Sequence, residues 1–252
     1  TRRSSDLGKF NFRASYAAGF RTPTLSELYA TDIAKKNDRL TIGNLDLKSE
    51  KNNYFSLSAE YVHERFSVSV NAFYNNIRDM IDYNTIATGD KAMEQYGHKE
   101  VRQRDNIAEA KVHGINVSAN AYLGAGFNLS GGYTHLNTQD VELEQPIDKS
   151  IKNAYNINAQ WAHSWKIYRL NINLNGRINS KRFSKSYGYA PEYQLWNLNT
   201  RHSFNLKSVI IEPGCGMENL FDYMDDRPYN SNYATLTPGR SFYISLSLKF
   251  KS

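Results

Sequence analysis

A period of two residues constrains this chain more than any other feature. From Tyr168 to Asn179 it reads Tyr-Arg-Leu-Asn-Ile-Asn-Leu-Asn-Gly-Arg-Ile-Asn. Tyr168, Leu170, Ile172, Leu174 and Ile178 are apolar, Gly176 is the one gap, and every residue between them is Arg or Asn. Successive side chains of an extended strand point to opposite faces, so this segment has one greasy and one wet face. The signature recurs over Phe10–Ala18, Phe55–Tyr61, Phe66–Tyr74, Ile115–Ala121, Phe127–Tyr133 and Tyr155–Trp161. It returns around Trp196 and Leu198, around Val209 and Ile211, and from Phe242 to Phe250. That predicts about ten strands, most near or above the roughly 9–11 residues of a tilted strand that spans a bilayer.

Composition narrows the class. Aromatics make up 13% of the 252 residues, 18 of them Tyr, so the chain is not built like a disordered one. Mean hydropathy is −0.64, and no apolar run approaches the roughly 20 residues of a spanning helix. A single Cys excludes a disulfide framework and any multi-Cys metal site. The net charge of +6 is scattered, with no basic run longer than a pair, which argues against nucleic acid as a partner. Gly-x-Ser-x-Gly, His-Glu-x-x-His and P-loop motifs are all absent from the sequence, so no enzyme is expected.

The connections alternate in length. Short ones fall at His63–Arg65, Leu123–Gly126, His163–Lys166 and Asn205–Ser208, whereas long ones occupy about 21–50, 84–105, 139–151, 180–192 and 221–238. Short turns at one end and long loops at the other are the anatomy of an outer-membrane barrel. Aromatics crowd the short-turn ends (Tyr61 with Phe66, Trp165 with Tyr168), as an interfacial girdle requires. The predicted class is all-β: an antiparallel transmembrane β-barrel with its long loops outward. A soluble sandwich also alternates, but its strands average only about 5–6 residues.

Particular residues sharpen this. Phe20-Arg21-Thr22-Pro23-Thr24-Leu25-Ser26-Glu27-Leu28-Tyr29 is followed by Gly43-Asn44-Leu45-Asp46-Leu47. The pair resembles the two boxes, FRAP and NPNL, of TonB-dependent outer-membrane receptors. Tyr74–Ile81, Ala110–Asn116, Asn219-Leu220-Phe221-Asp222 and Pro238-Gly239-Arg240 resemble later signatures of that family, in the same order. Thr22 stands where the first box usually has Ala, and the second box lacks its Pro. The chain also runs past Phe250 to Lys251 and Ser252, whereas the family often ends on the aromatic.

The resemblance implies a full barrel of about 22 strands closed around a plug, residues 1–252 being the C-terminal part, with about its last ten strands. Plug and first strands would then be a partner, paired with this chain, and the Arg2-Arg3 site would lie in an exposed loop. It further implies outer-membrane localisation, coupling to the TonB complex through the plug, the lipid bilayer as surroundings, and room for a surface lipoprotein that hands over ligand. Function follows as active import of a scarce ligand, haem or another iron complex, with cobalamin or a siderophore as alternatives. A passive porin and a barrel hydrolase are the readings from other classes. No cofactor is implied for catalysis, and haem would be cargo.

Candidate ligand contacts come from the long connections: Tyr29, Tyr96, His98, Tyr187, Tyr189, Tyr223, Tyr229 and Tyr233. Tyrosine offers a flat apolar face with a polar tip, and His98 is the one His in a long connection, a candidate ligand for haem iron. No His lies between Pro23 and Asn44, where haem receptors of the family typically carry one. Arg169, Arg177 and Arg201 share the wet strand face and are read as lumen partners of plug carboxylates. Parity places His113, His135 and Cys215 on the lipid face, and His63, His163 and His202 in or beside short turns.

Overall fold

The computed structural model describes residues 8–184, 188–225 and 238–251, apart from the side chains of Ile107 and Ala108. Ten long strands make one antiparallel meander: β1 (Lys9–Arg21), β4 (Glu50–Val62), β5 (Phe66–Thr88), β6 (Glu100–Gly124), β7 (Phe127–Asp140), β8 (Asn153–Trp165), β9 (Tyr168–Asn179), β12 (Tyr193–Asn205), β13 (Val209–Glu218) and β14 (Ser241–Phe250). Shorter pieces sit in the connections: α1 (Leu25–Tyr29), β2 (Thr31–Ala34), β3 (Arg39–Ile42), α2 (Gly89–Tyr96), β10 (Arg182–Ser184) and β11 (Gly188–Ala190). Among the described residues β1 pairs only with β4 and β14 only with β13, so each has one edge without a strand partner.

Register carries the alternation from strand to strand. Phe12, Ala59 and Val70 lie opposite one another, as do Trp161, Ile172 and Thr200, and then Cys215 and Ile244. The other face presents Ser, Asn, Gln and Arg. Asn158 donates to Asn175 at 2.5 Å, and Arg169, Arg177 and Arg201 stand in rows with Ser203, Asn156 and Asn171. Apolar side chains point away from any interior: Phe12 is 72% exposed, Leu57 62% and Ile244 88%. An apolar face this continuous exceeds the few hundred Å² that soluble monomers expose, and lipid is the solvent that fits it. No helix among the described residues is long and apolar enough to span a membrane.

All four short connections lie at one end, as predicted. Gly126 closes the β6–β7 turn with φ +86, and a Cβ there would sit 2.0 Å from the Ala162 carbonyl oxygen, so only glycine fits. An aromatic row edges that end: Trp165 stacks on Tyr168 (5.5 Å), and Tyr168 meets Phe204 at a tilt (5.0 Å). His63 lies in its turn, but His163 belongs to β8, its ring against Trp165.

One expectation fails outright. Residues 84–105 are not a loop: β5 and β6 run 23 and 25 residues and stay paired from Phe66↔Ala121 to Thr88↔Glu100, with α2 bridging their ends. At about 3.3 Å per residue such strands exceed what a tilted crossing needs by a factor of about two. The excess projects beyond the bilayer, where lipid no longer demands one apolar face, and so loses the alternation that marks a half-buried strand. Register shifts at Ile77/Met80 and Met80/Ile81 mark where the projection begins.

Candidate functional site

The long-connection end is built in two tied groups. In the first, the box residues form a clamp. Arg21, at the end of β1, donates from Nε and Nη2 to both Glu50 oxygens (2.7 and 2.6 Å) and from Nη1 to Glu27 (2.9 Å). Thr24 and Glu27 make a reciprocal capping box: the Glu27 amide donates to Thr24 Oγ1 (3.3 Å), and the Thr24 amide to Glu27 Oε2 (2.8 Å). Burial pushes the Glu27 carboxyl up, but hydrogen bonds from Arg21 and Thr24 outweigh it and hold the group down at about 2.

The second box docks onto the first. The Gly43 amide donates to Ala30 O (2.8 Å) and the Asn44 amide to Glu27 O (3.0 Å), while Asn44 Oδ1 accepts from the Asp46 amide (2.9 Å). A Cβ on Gly43 would lie 2.5 Å from the Leu28 carbonyl oxygen, so the approach needs glycine. Phe20, Thr22 and Leu45 are exposed around this clamp, and Pro23 and Leu47 are half-buried. Tyr29, last residue of α1, is 67% exposed.

The projecting hairpin is fastened to the same group. β3 adds to β6 in parallel, Arg39↔Glu100 to Ile42↔Gln103, and Leu40 packs with Ala92 of α2 and Val101 in a small buried cluster. Tyr96 packs against that cluster rather than standing free. His98 Nδ1 lies 2.9 Å from Asp38 Oδ1, and the Lys99 amide donates to Asp38 O (3.0 Å). That contact with His98 holds the Asp38 carboxyl below the usual carboxylate range. An ionised carboxylate only accepts, so Nδ1 carries the hydrogen and Nε2 is the ring atom left to face a ligand. Arg104 lies 3.6 Å over the Tyr83 ring and donates to its hydroxyl (2.6 Å), with Arg102 two residues along the same face. None of Asp38, Tyr83, Arg102 and Arg104 was legible as a candidate, since only the β5–β6 pairing and the β3–β6 ladder bring them together.

The second group lies over β8–β13. The Lys149 amide donates to Phe183 O (2.9 Å) and the Phe183 amide to Ser150 O (3.0 Å), which joins the β7–β8 connection to β10. Tyr189 on β11 is exposed and meets Phe183 edge-on. Tyr223 stacks on Tyr193 (5.8 Å) beside a recess of about 510 Å³ that Glu192 and Gln194 also line. Asn219 fixes it, accepting from the Tyr223 amide (2.9 Å) and donating to Tyr223 O (2.7 Å). Tyr187, Tyr229 and Tyr233 lie outside the described residues. Thus Tyr96 and His98 come together with the clamp, and Tyr189 and Tyr223 with the other group. Among the described residues no three of His, Cys, Asp and Glu converge to hold a metal ion, so His98 would act there as a single ligand.

Comparison with known proteins agrees with this architecture. Solved structures with the same fold include a ferric enterobactin receptor of Pseudomonas aeruginosa, 20% identical with a TM-score of 0.73 over 96% of this chain and 38% of that one. A copper transporter aligns at 13% identity and TM-score 0.70, over 96% of this chain and 37% of its own. The ferric preacinetobactin receptor of Acinetobacter baumannii aligns at 16% and 0.68, over 96% and 34%. The chain therefore spans less than two-fifths of the length of these proteins. Receptors of this kind are outer-membrane transporters of Gram-negative bacteria, not enzymes. Residues 6–220 match the family described as TonB dependent receptor-like, beta-barrel, and the chain belongs to that family.

Proposed function

We propose that this chain is the C-terminal section of the wall of an active-transport receptor, and that its external ends bind an iron complex which the whole receptor imports with TonB-coupled energy. Plug and remaining strands would be its partners, the TonB complex would act through the plug, and a surface lipoprotein could deliver ligand. The observation that carries the ligand reading is His98, whose Nδ1 is held by Asp38, which leaves Nε2 as the ring atom for a metal complex. A carboxylate behind a ligating imidazole fixes the ring and raises its basicity, which favours haem. A second reading, an anionic ferric chelate, is supported by Arg104 over Tyr83 and by the ferric-chelate receptors among the solved structures.

An absorption titration of the assembled receptor with haemin, with ferric siderophores as competitors, tests the choice. A saturable Soret shift that weakens at least tenfold in His98→Ala supports haem. A spectrum of free haemin, with a ferric chelate binding in a manner sensitive to Arg104→Ala, moves the assignment to the second reading.

A further inference from the structure

The lipid-facing side of the sheet is apolar over most of its height, but not at the long-connection end. Tyr16, Phe55, Tyr74 and His113 form one row in register across β1, β4, β5 and β6. Above it stand Asn53, Asn76 and Lys111, and above those Lys51 opposite Arg78. Cross-strand neighbours lie about 5 Å apart and alternate residues along a strand about 7 Å, so Arg78 falls within roughly 10 Å of both Lys51 and Lys111, which lie about 12 Å from each other. Among the described residues the one carboxylate within ion-pair reach of them is Glu109, loosely, at 3.6 Å from Lys111 and 3.9 Å from Arg78. The patch keeps an excess of positive charge on the side that faces lipid, not lumen.

Two further features share this face. Beneath the cations a recess of about 570 Å³ opens between Ala14, Tyr16, Phe55, Leu57, Ala72 and Tyr74, nearly all apolar. Within the patch, Asn76 is 8% exposed and its Oδ1 is buried with no hydrogen-bond donor. Apolar recess, unsatisfied acceptor and cation cluster succeed one another in the order acyl chain, amide or hydroxyl donor, and phosphate. A glycerophospholipid with one phosphate would answer only part of that sequence.

We propose that this face is a binding site for an acylated, phosphorylated amino-sugar lipid of the outer leaflet, the lipid A moiety of lipopolysaccharide. Its phosphates engage Lys51, Arg78 and Lys111, an amide or hydroxyl donates to Asn76 Oδ1, and an acyl chain fills the recess. The site rests on the outer-membrane placement of the family and is independent of which ligand is transported.

The test uses the assembled receptor, delipidated in detergent and titrated with lipid A carrying both phosphates, with its dephosphorylated form, and with phosphatidylglycerol as competitor, bound lipid being counted by native mass spectrometry. Saturable binding of intact lipid A, at least tenfold weaker without its phosphates, is the expected result and needs no variant. The triple variant Lys51→Gln/Arg78→Gln/Lys111→Gln should lose at least tenfold, whereas Lys166→Gln/Lys207→Gln at the opposite rim should change nothing. Heat-modifiable mobility establishes that the variants are folded, and the single exposed change Lys51→Gln should give a smaller graded loss. Equal binding by the triple variant, indifference to the phosphates, or equal displacement by phosphatidylglycerol would each overturn the proposal.

Discussion

At the scale of single residues, Arg21 shows how a sequence signature can be structural before it is functional. Its guanidinium is shared by Glu27 and Glu50, whose side chains are only 13% and 15% exposed, so its removal leaves two half-desolvated carboxylates facing each other. Hydrogen bonds to charged groups contribute about 1.5–3 kcal/mol each in such settings. Arg21→Ala should therefore loosen residues 24–45 by about 2–3 kcal/mol, and Glu27→Gln, which keeps an oxygen for the cap, by less. Hydrogen exchange over that segment in the assembled receptor measures both. The folded Glu27 titrates at about 2, below its ordinary 4.5, so the folded state binds fewer protons than the unfolded one. Its stabilising contribution is complete above about pH 4.5 and is lost as pH falls towards 2. Protection of 24–45, corrected for intrinsic exchange, should fall in that window, and in Glu27→Gln the step should shrink to what Glu50 and Asp38, both also held below the usual carboxylate range, supply. The partners were not legible in the sequence: Glu50 is 29 residues from Arg21, and Asp38 is 60 from His98. No local pattern announces such pairs, which only β1–β4 pairing and the β3–β6 ladder bring together.

At the scale of elements, what could be read was what lies in lipid. The strand from Tyr168 to Asn179 alternates because one face must be apolar and the other wet, and β9 has those limits in the structure. Above the bilayer that pressure ends, and Glu100-Val101-Arg102-Gln103-Arg104-Asp105 looks like loop while forming strand. Its order comes instead from a small cluster: Ala92 and Val101 are fully buried, with Leu40 beside them. Packing this tight tolerates extra volume poorly, so Ala92→Leu should cost about 1–3 kcal/mol. The loss should be local. Limited proteolysis should open the segment 89–99 while the heat-modifiable barrel persists, and Met93→Leu at a 44% exposed neighbour should behave as the parent. An equally resistant Ala92→Leu protein would mean that α2 is not held by this cluster.

At the scale of the whole molecule, the open sheet poses a problem that ten strands do not solve alone. One edge of β1, 13 residues long, and one edge of β14, 10 residues long, carry backbone N–H and C=O groups without a strand partner among the described residues. In lipid each such group costs several kcal/mol, more in sum than a domain's whole net stability of about 5–15 kcal/mol. Either the sheet closes on itself, β1 to β14, or other strands cover both edges. Relatives of more than twice this length share the fold over 96% of the chain, which favours the second arrangement. A Ser15→Cys/Ser245→Cys pair, in a Cys215→Ser background, separates the two because it joins strands that touch only in a self-closed barrel. No disulfide should form in the assembled receptor, and the chain expressed by itself should fail to give a heat-modifiable, monodisperse species in detergent. Efficient oxidation of that pair in a folded monomer would show instead a free ten-stranded barrel, too narrow for a plug, and the import reading would fall with it.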